Sequence, residues 1–382
     1  MTYGTFALER PGERARKTCV YCPRLCHFVC PAATAEGSVT ASPWGMVSLV
    51  DALAERRIAW TRENVEPLYH CTSCGRCTAF CAHGNPVAEI LLAARHEAVE
   101  RGCVPVEVER WVLDQASHAD AHRVLGQGDG DATAPVPDED AFGWFPGCSL
   151  EDDALRRGIA SVLEHVLGRK AVQLGGDAPA CCGGAAFRAG YADIAKAQME
   201  QAHHRIGGRE RWVTGCNTLV KSASTEAGMT EDHRPQAWWT LLATHADRLP
   251  KPARRKPMRV WWHAACDAGL DPAALAPLLD ALDVIALPLP AWDGLPECCG
   301  ADPLYRVVAP EGAQDAARWL ARAWEGREGE VDAIVSSSAR CAAHISLALG
   351  RPILSLADLV VTRCGTQKRR RSSSTRQPKA GV

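Results

Sequence analysis

The chain has no apolar run of the roughly 18 residues that a membrane-crossing helix needs. Its first stretch, "MTYGTFALERPGERARK", holds no apolar core of the kind a secretion signal carries. The expectation is a cytoplasmic protein without a transmembrane segment, meeting the inner face of a membrane peripherally and only through partners. Aromatic residues are few, at 6%, and the twelve tryptophans are scattered or sit at strand positions such as Trp261 and Trp262. That suits core packing rather than base stacking. There is no nucleotide-binding fingerprint, no flavin motif and no Ser-His-Asp signature, so nothing in the chain is expected to take a hydride or activate water. The Gly-rich letters in "GQGDGD" follow no strand and lie among acids that would repel phosphate. Acidic residues are missing from Arg363 onward, where seven Lys or Arg stand in a polar tail expected to be disordered. The formal charge of -2 then leaves about -9 on the remaining chain, which excludes a general nucleic-acid footprint.

Cysteine, by contrast, is plentiful, with 18 in 382 residues. A reducing compartment does not sustain a disulfide framework, so metal binding, redox chemistry or burial must account for them. Cys19, Cys22, Cys26 and Cys30 fall in "CVYCPRLCHFVCP", and Cys71, Cys74, Cys77 and Cys81 in "CTSCGRCTAFC". Short Cys-x-x-Cys loops let thiolates and backbone N–H groups converge on one cluster, and in ferredoxin-type pairs the fourth cysteine ligates the other cluster. Cys19, Cys22 and Cys26 are therefore expected to share one [4Fe-4S] cluster with Cys81, and Cys71, Cys74 and Cys77 a second with Cys30. Two departures stand out. Three residues separate Cys22 from Cys26, and the proline expected after Cys81 is delayed to Pro86. Zinc is the alternative, since it also accepts four thiolates.

Helical periodicity runs from about Trp44 to Arg57, through "VAEILLAARHEAVERG", and through "VEVERWVLDQASHA". Residues 1–120 read as a small α-helical dicluster domain of ferredoxin type. A Gly-, Asp- and Pro-rich linker at 121–141 follows. The remainder then repeats itself. The first copy, 142–256, has Cys148 in "WFPGCSL", Cys181 and Cys182 in "ACCGGAAF", and Cys216 in "WVTGCNTL". The second, 257–362, has Cys266 in "WWHAACDAG", Cys298 and Cys299 in "ECCGADPLY", and Cys341 in "SSSARCAAH". The first cysteines are 118 positions apart and the Cys-Cys pairs 117, but the last cysteines are 125 apart. An insertion near "EGREGEV" is expected to absorb the difference. Three strands alternate with helices in each copy: "AFGWF", "AVQLGG" and "RWVTG", then "MRVWWHA", "DVIALPL" and "DAIVSSS". That order predicts parallel α/β halves with cysteines at the carboxyl ends of strands. Gly183, Gly184 and Gly300 let the backbone approach closely there. The fold class is α+β overall, a helical dicluster domain followed by two Rossmann-like α/β domains and a tail at 363–382.

Two ferredoxin-like quartets followed by two Cys-Cys-Gly (CCG) domains resemble the iron–sulfur subunits of heterodisulfide reductases, glycolate oxidase and anaerobic glycerol-3-phosphate dehydrogenase, over about residues 17–362. The family's CCG domain ends in Cys-x-x-Cys, and here Leu219 and His344 are taken to stand where the second of those cysteines would be. The resemblance implies one or two further clusters, or zinc, at Cys148, Cys181, Cys182 and Cys216 and at Cys266, Cys298, Cys299 and Cys341. His344 and His263 are secondary candidates, as ligand and as donor to a cluster sulfur. It also implies an electron-transfer subunit that accepts electrons from a flavoprotein dehydrogenase and delivers them towards a quinone-linked membrane subunit or another acceptor. Two other readings stay open: a catalytic disulfide reductase acting through the CCG sites, and a zinc-stabilised binding module. Cys103 and Cys364 have no partners at ligand spacing and read as buried thiols.

Overall fold

Proline and hydroxyl caps set where the N-terminal helices start. Pro31 and Pro43 open helices at positions whose N–H would be unpaired in any case. The Ser42 hydroxyl accepts from the Gly45 amide at 3.0 Å. The computed structural model describes residues 11–125, 141–148, 150, 152–173, 182–206, 212–216, 235–251, 256–266, 273–289 and 297–364. The linker from 126 to 140 and the basic tail from 365 lie outside them, as do Cys181 and Leu219.

The N-terminal part is helical: Pro11–Val20, Pro31–Glu36, Pro43–Ala54, Arg62–Val65, Arg76–Phe80, Val87–Glu100 and Val106–Leu125. The three periodic stretches in the sequence correspond to Pro43–Ala54, Val87–Glu100 and Val106–Leu125. Both cysteine quartets occupy the short turns and helix ends between the longer helices. Asp51 fastens the first helix to the third, meeting Arg16 at 2.8 Å, Lys17 at 3.1 Å and also Arg57.

Each cysteine-rich copy is a four-stranded, all-parallel sheet. Strands β1 (Phe142–Phe145), β2 (Ala171–Gln173), β3 (Trp212–Thr214) and β4 (Gln236–Ala237) lie in the order β2-β1-β3-β4. Strands β5 (Met258–His263), β6 (Val284–Pro288), β7 (Ala333–Ser336) and β8 (Leu354–Ser355) lie in the order β6-β5-β7-β8. The sequence predicts the first three strands of each copy. The fourth is a two-residue pairing with no periodicity of its own, formed on β3 in the first copy and on β7 in the second.

The copies share one core. Trp144 and Trp262, equivalent residues of β1 and β5, are both buried in it with Val213 and Val335. The last helix of each copy crosses to the other: Trp238–Thr244 packs on Ala276–Ala281, and Leu356–Arg363 packs on Asp153–Leu167. The helices after each CCG loop face the N-terminal part instead. Ala186, Ala189 and Leu304 enter its core beside Leu68, Tyr69 and Val108. Tyr305, Ala313 and Ala316 close over Cys30, Ala32 and Ala33.

Candidate metal centres

Cys19 ends the first helix, Cys22 and Cys26 follow in the turn before and within Leu25–Val29, and Cys81 caps Arg76–Phe80. Burial raises the pKa of Cys26 to about 11, and the neighbouring thiols of Cys19, Cys22 and Cys81 add to the rise. Burial likewise raises Cys19, against the Asn85 side-chain amide, which donates to its sulfur at 3.1 Å. Burial raises Cys30 too, and there the neighbouring thiols are Cys74 and Cys71. For Cys77 they are Cys71, Cys74 and Cys30, with Cys26 a smaller influence from the other group. The eight thiols thus fall into two neighbouring gatherings, and each draws on both sequence motifs.

Several polar residues that the sequence pattern does not reveal hold these loops. Arg95, fully buried on Val87–Glu100, donates to the carbonyls of Leu68 at 2.6 Å, Cys71 at 2.8 Å and Arg188 at 2.9 Å. Its fork therefore binds the second cysteine loop to the helix that follows the first CCG loop. His70 sits between Glu36 and Glu66 at 2.9 and 2.8 Å. Burial works against its charge, but the two carboxylates prevail and raise its pKa to about 9. An Arg inside a helix pattern reads from sequence as a solvated face, and only tertiary contact turns it inward.

In the cysteine-rich copies, Cys148, Cys216 and Cys266 all sit just past the carboxyl ends of the central strands β1, β3 and β5. In the first copy the sulfurs of Cys216 and Cys182 are 3.3 Å apart. In the second, the Cys266 and Cys298 sulfurs are 3.8 Å apart, and the free thiol of Cys341 neighbours that of Cys299. The Cys341 contact, with burial, drives the Cys299 pKa well up. A Cβ on Gly183 would meet the Ala195 carbonyl oxygen at 2.5 Å, and one on Gly300 the Ala313 carbonyl oxygen at 2.9 Å. Both glycines have φ of +79°, so glycine is required where each CCG loop meets its helix.

Strand register corrects one sequence expectation. Phe145 pairs with Thr214 in the first copy and its equivalent His263 with Ser336 in the second. The Gly215 amide donates to the Phe145 carbonyl as the Ser337 amide does to the His263 carbonyl. The Cys216 amide donates to the Thr214 hydroxyl as the Ser338 amide does to the Ser336 hydroxyl. Ser338, not Cys341, therefore stands at the place of Cys216, and Cys341 is the second position of the motif. His344 lies one helical turn further and does not occupy the place of a missing cysteine. The extra spacing arises partly before β7 and partly after it, where Cys341 lies a helical turn beyond Ser338, so an insertion near "EGREGEV" accounts for only part of it.

Both ring nitrogens of His263 are engaged, whereas only Nε2 of His344 is. His263 is buried, with Nδ1 on the Ser336 hydroxyl at 2.9 Å and Nε2 on the Glu297 carbonyl at 3.0 Å. It pins the backbone just before Cys298 to the strand ends. His344 donates through Nε2 to the Ala313 carbonyl at 2.9 Å, and burial lowers its pKa.

The second copy and the N-terminal part meet at their cysteines. Cys298 lies 3.5 Å from the Thr72 hydroxyl and neighbours the Cys74 thiol, while Arg76 pairs with Glu297 at 3.5 Å. The two copies also touch, since Arg340 reaches the Cys148 sulfur at 3.8 Å. Among the described residues, no three Cys, His, Asp or Glu converge on one mononuclear metal position. The donor set itself is thiol-rich, glycine-cradled and buried or half-buried, and such thiols become ligands once bound metal stabilises their anions.

Paired thiol gatherings in a helical domain, beside two sheets with cysteines at their strand ends, define an iron–sulfur protein. Residues 15–85 match the 4Fe-4S dicluster domain family, and residues 142–218 and 260–346 each match the cysteine-rich domain family. A curated relative, one of the subunits of the fumarate reductase (CoM/CoB) of Methanothermobacter marburgensis, is 23% identical over 295 residues, which is 73% of this chain and 57% of the relative. The chain thus spans little more than half the length of that relative. It belongs to the heterodisulfide reductase-like family of iron–sulfur proteins, with a 4Fe-4S dicluster domain followed by cysteine-rich CCG domains.

Proposed function

We propose that this chain is the electron-transfer subunit of a reductase-type complex, with two [4Fe-4S] clusters and a further cluster in each cysteine-rich copy. Cys19, Cys22, Cys26 and Cys81 would hold the first cluster, and Cys30, Cys71, Cys74 and Cys77 the second. Cys266, Cys298, Cys299 and Cys341 would hold the third, and Cys148, Cys181, Cys182 and Cys216 the fourth. Iron–sulfur clusters supply one-electron chemistry at potentials set by burial and hydrogen bonding. The observation that carries the reading is the contact of Cys298 with Thr72 and Cys74. It puts a cysteine of the second CCG site directly against the second ferredoxin-type loop, and Arg340 continues the contact to Cys148. The protein's residues would bind the clusters, exclude water from them and keep the sites close enough for electrons to pass in series.

Partners follow from the same reading. Tyr21, Leu25 and Phe28, around the first cysteine loop, are exposed apolar side chains. They would offer a partner such as a flavoprotein dehydrogenase apolar side chains to cover, beside the first proposed cluster. A quinone-linked subunit is the acceptor consistent with this scheme, and no helix among the described residues is itself long and apolar enough to cross a membrane.

The test is iron, acid-labile sulfide and zinc per chain on anaerobically purified protein, with low-temperature electron paramagnetic resonance before and after reduction. About sixteen irons are expected, at four per cluster. About eight would restrict the reading to the ferredoxin-type pair. Zinc in place of iron, with no reducible signal, would end it.

A further inference from the structure

The cysteine-rich copies have each kept a different half of the terminal Cys-x-x-Cys motif. By strand register and by two matching backbone hydrogen bonds, Ser338 occupies the place of Cys216. In the first copy the thiol at that place touches Cys182, the second member of the Cys-Cys pair. In the second copy the equivalent Cys299 is met instead by Cys341, one turn into helix Ala339–Leu349. The same thiol–thiol contact is thus made from two different backbone positions. In the second copy this leaves the position next to the strand carrying a hydroxyl.

That hydroxyl makes no cap where one is expected. Ser338 is the N-cap of its helix, the position at which a serine ordinarily accepts from the first-turn amides, yet its side chain makes no cap hydrogen bond. It is buried, being 6% exposed. Its neighbours in the serine run are engaged: Ser336 with His263, and Ser337 with the Ala265 amide at 2.9 Å. A hydroxyl that caps nothing, on a residue 6% exposed at a cysteine's place one turn before Cys341, has the makings of an oxygen donor.

We infer that Ser338 is an oxygen ligand of the cluster in the second cysteine-rich copy, giving that site four thiolates and one hydroxyl oxygen. The first copy's set is thiolate only. The two copies are then chemically unlike sites, and an oxygen is a harder donor than the thiolate it replaces. This rests on the cluster assignment under Proposed function, and the experiment separates the two.

Anaerobically purified full-length protein is compared as wild type, Ser338→Ala, Ser338→Cys, Cys299→Ala and His344→Gln. Iron and sulfide are counted per chain, and resonance signals are followed through a redox titration. Ser338→Ala and Ser338→Cys are expected to keep the iron count while shifting the g-values and midpoint potential of one signal, in opposite directions relative to wild type. Cys299→Ala should remove that same signal with its iron, and His344→Gln should leave it in place. If Cys299→Ala removes the signal but both Ser338 variants leave it unmoved, Ser338 is only part of the loop and the inference fails alone. If Cys299→Ala costs neither iron nor signal, the second copy holds no cluster, and both the inference and the assignment beneath it fall.

Discussion

Asn85 donates its side-chain amide to the Cys19 sulfur at 3.1 Å and to the Ala15 carbonyl at 3.3 Å. A hydrogen bond to a ligand sulfur favours the more negative, reduced cluster, and so raises its potential. Removing a bond of about 1 kcal/mol corresponds to about 40 mV for one electron. Asn85→Ala is expected to lower the midpoint of the first ferredoxin-type cluster by about that much, read by redox titration. An unchanged midpoint would dissociate Asn85 from the cluster. Asp51 acts on stability instead. Burial alone would raise its pKa, but hydrogen bonds from Arg16 and Lys17 outweigh burial and hold it below the usual carboxylate range. A carboxylate depressed in the folded state stabilises the fold above its unfolded pKa of about 3.9 and loses that contribution as the pH falls through the lowered value. Asp51→Asn leaves the buried Arg16 guanidinium with only the exposed Glu55 carboxylate, at 3.4 Å. It is expected to cost about 3 kcal/mol at neutral pH, with the gap to wild type narrowing below pH about 4. Thermal unfolding of the two proteins across that range checks it, and a gap that persists in acid would show that charge is not the cause.

At the scale of elements, the loop-to-helix joints of the CCG sites have the least freedom. Gly300 combines φ of +79° with the Ala313 carbonyl oxygen and Ala316 Cβ each 2.9 Å from where a methyl would stand. Gly300→Ala is expected to lower stability by about 1–3 kcal/mol and to reduce the iron retained by the second copy. A variant that melts and loads like wild type would mean that the joint shifts freely. This requirement was legible in the sequence because Cys-Cys-Gly is a local signal. So were the three longer strands of each copy, whose apolar runs end at turn residues. The fourth strands were not legible, since "QA" and "LS" carry no pattern and exist only through pairing with β3 and β7. The place of Ser338 was hidden for a related reason. Matching the two copies cysteine to cysteine aligns Cys341 with Cys216, whereas hydrogen-bond register aligns Ser338 with it, and register is a property of the sheet rather than of the string.

For the whole molecule, the sequence suggests three units in a row, whereas the structure interleaves them. Tyr69 donates to the Ala189 carbonyl at 3.2 Å, and Arg95 ties Leu68 and Cys71 to Arg188. The helix after each CCG loop completes the core of the helical domain, and the last helix of each copy completes the core of the other. Residues brought together this way lie far apart along the chain, beyond the reach of any local pattern. Burying Leu68, Tyr69 and Val108 against Ala186, Ala189 and Leu304 contributes by apolar area, at about 25 cal/mol per Å², and that contribution vanishes if the partners separate. The intact chain is therefore expected to melt in a single calorimetric transition, with the helical domain and the cysteine-rich copies losing structure together. A fragment of residues 1–125 should show much less amide-exchange protection in Val87–Glu100 than the full chain does, because Arg95 loses its carbonyl partner at Arg188 and the apolar face beside it meets water. Two separate transitions, with a fragment as protected as the whole, would mean that the helical domain is self-sufficient. The contact between Cys298 and the Thr72–Cys74 loop would then join independent bodies, and its distance would be free to vary with domain motion. A single transition instead makes that spacing part of the fold, so that, on the proposed function, any mutation loosening the shared core should also slow electron passage between the proposed second and third clusters.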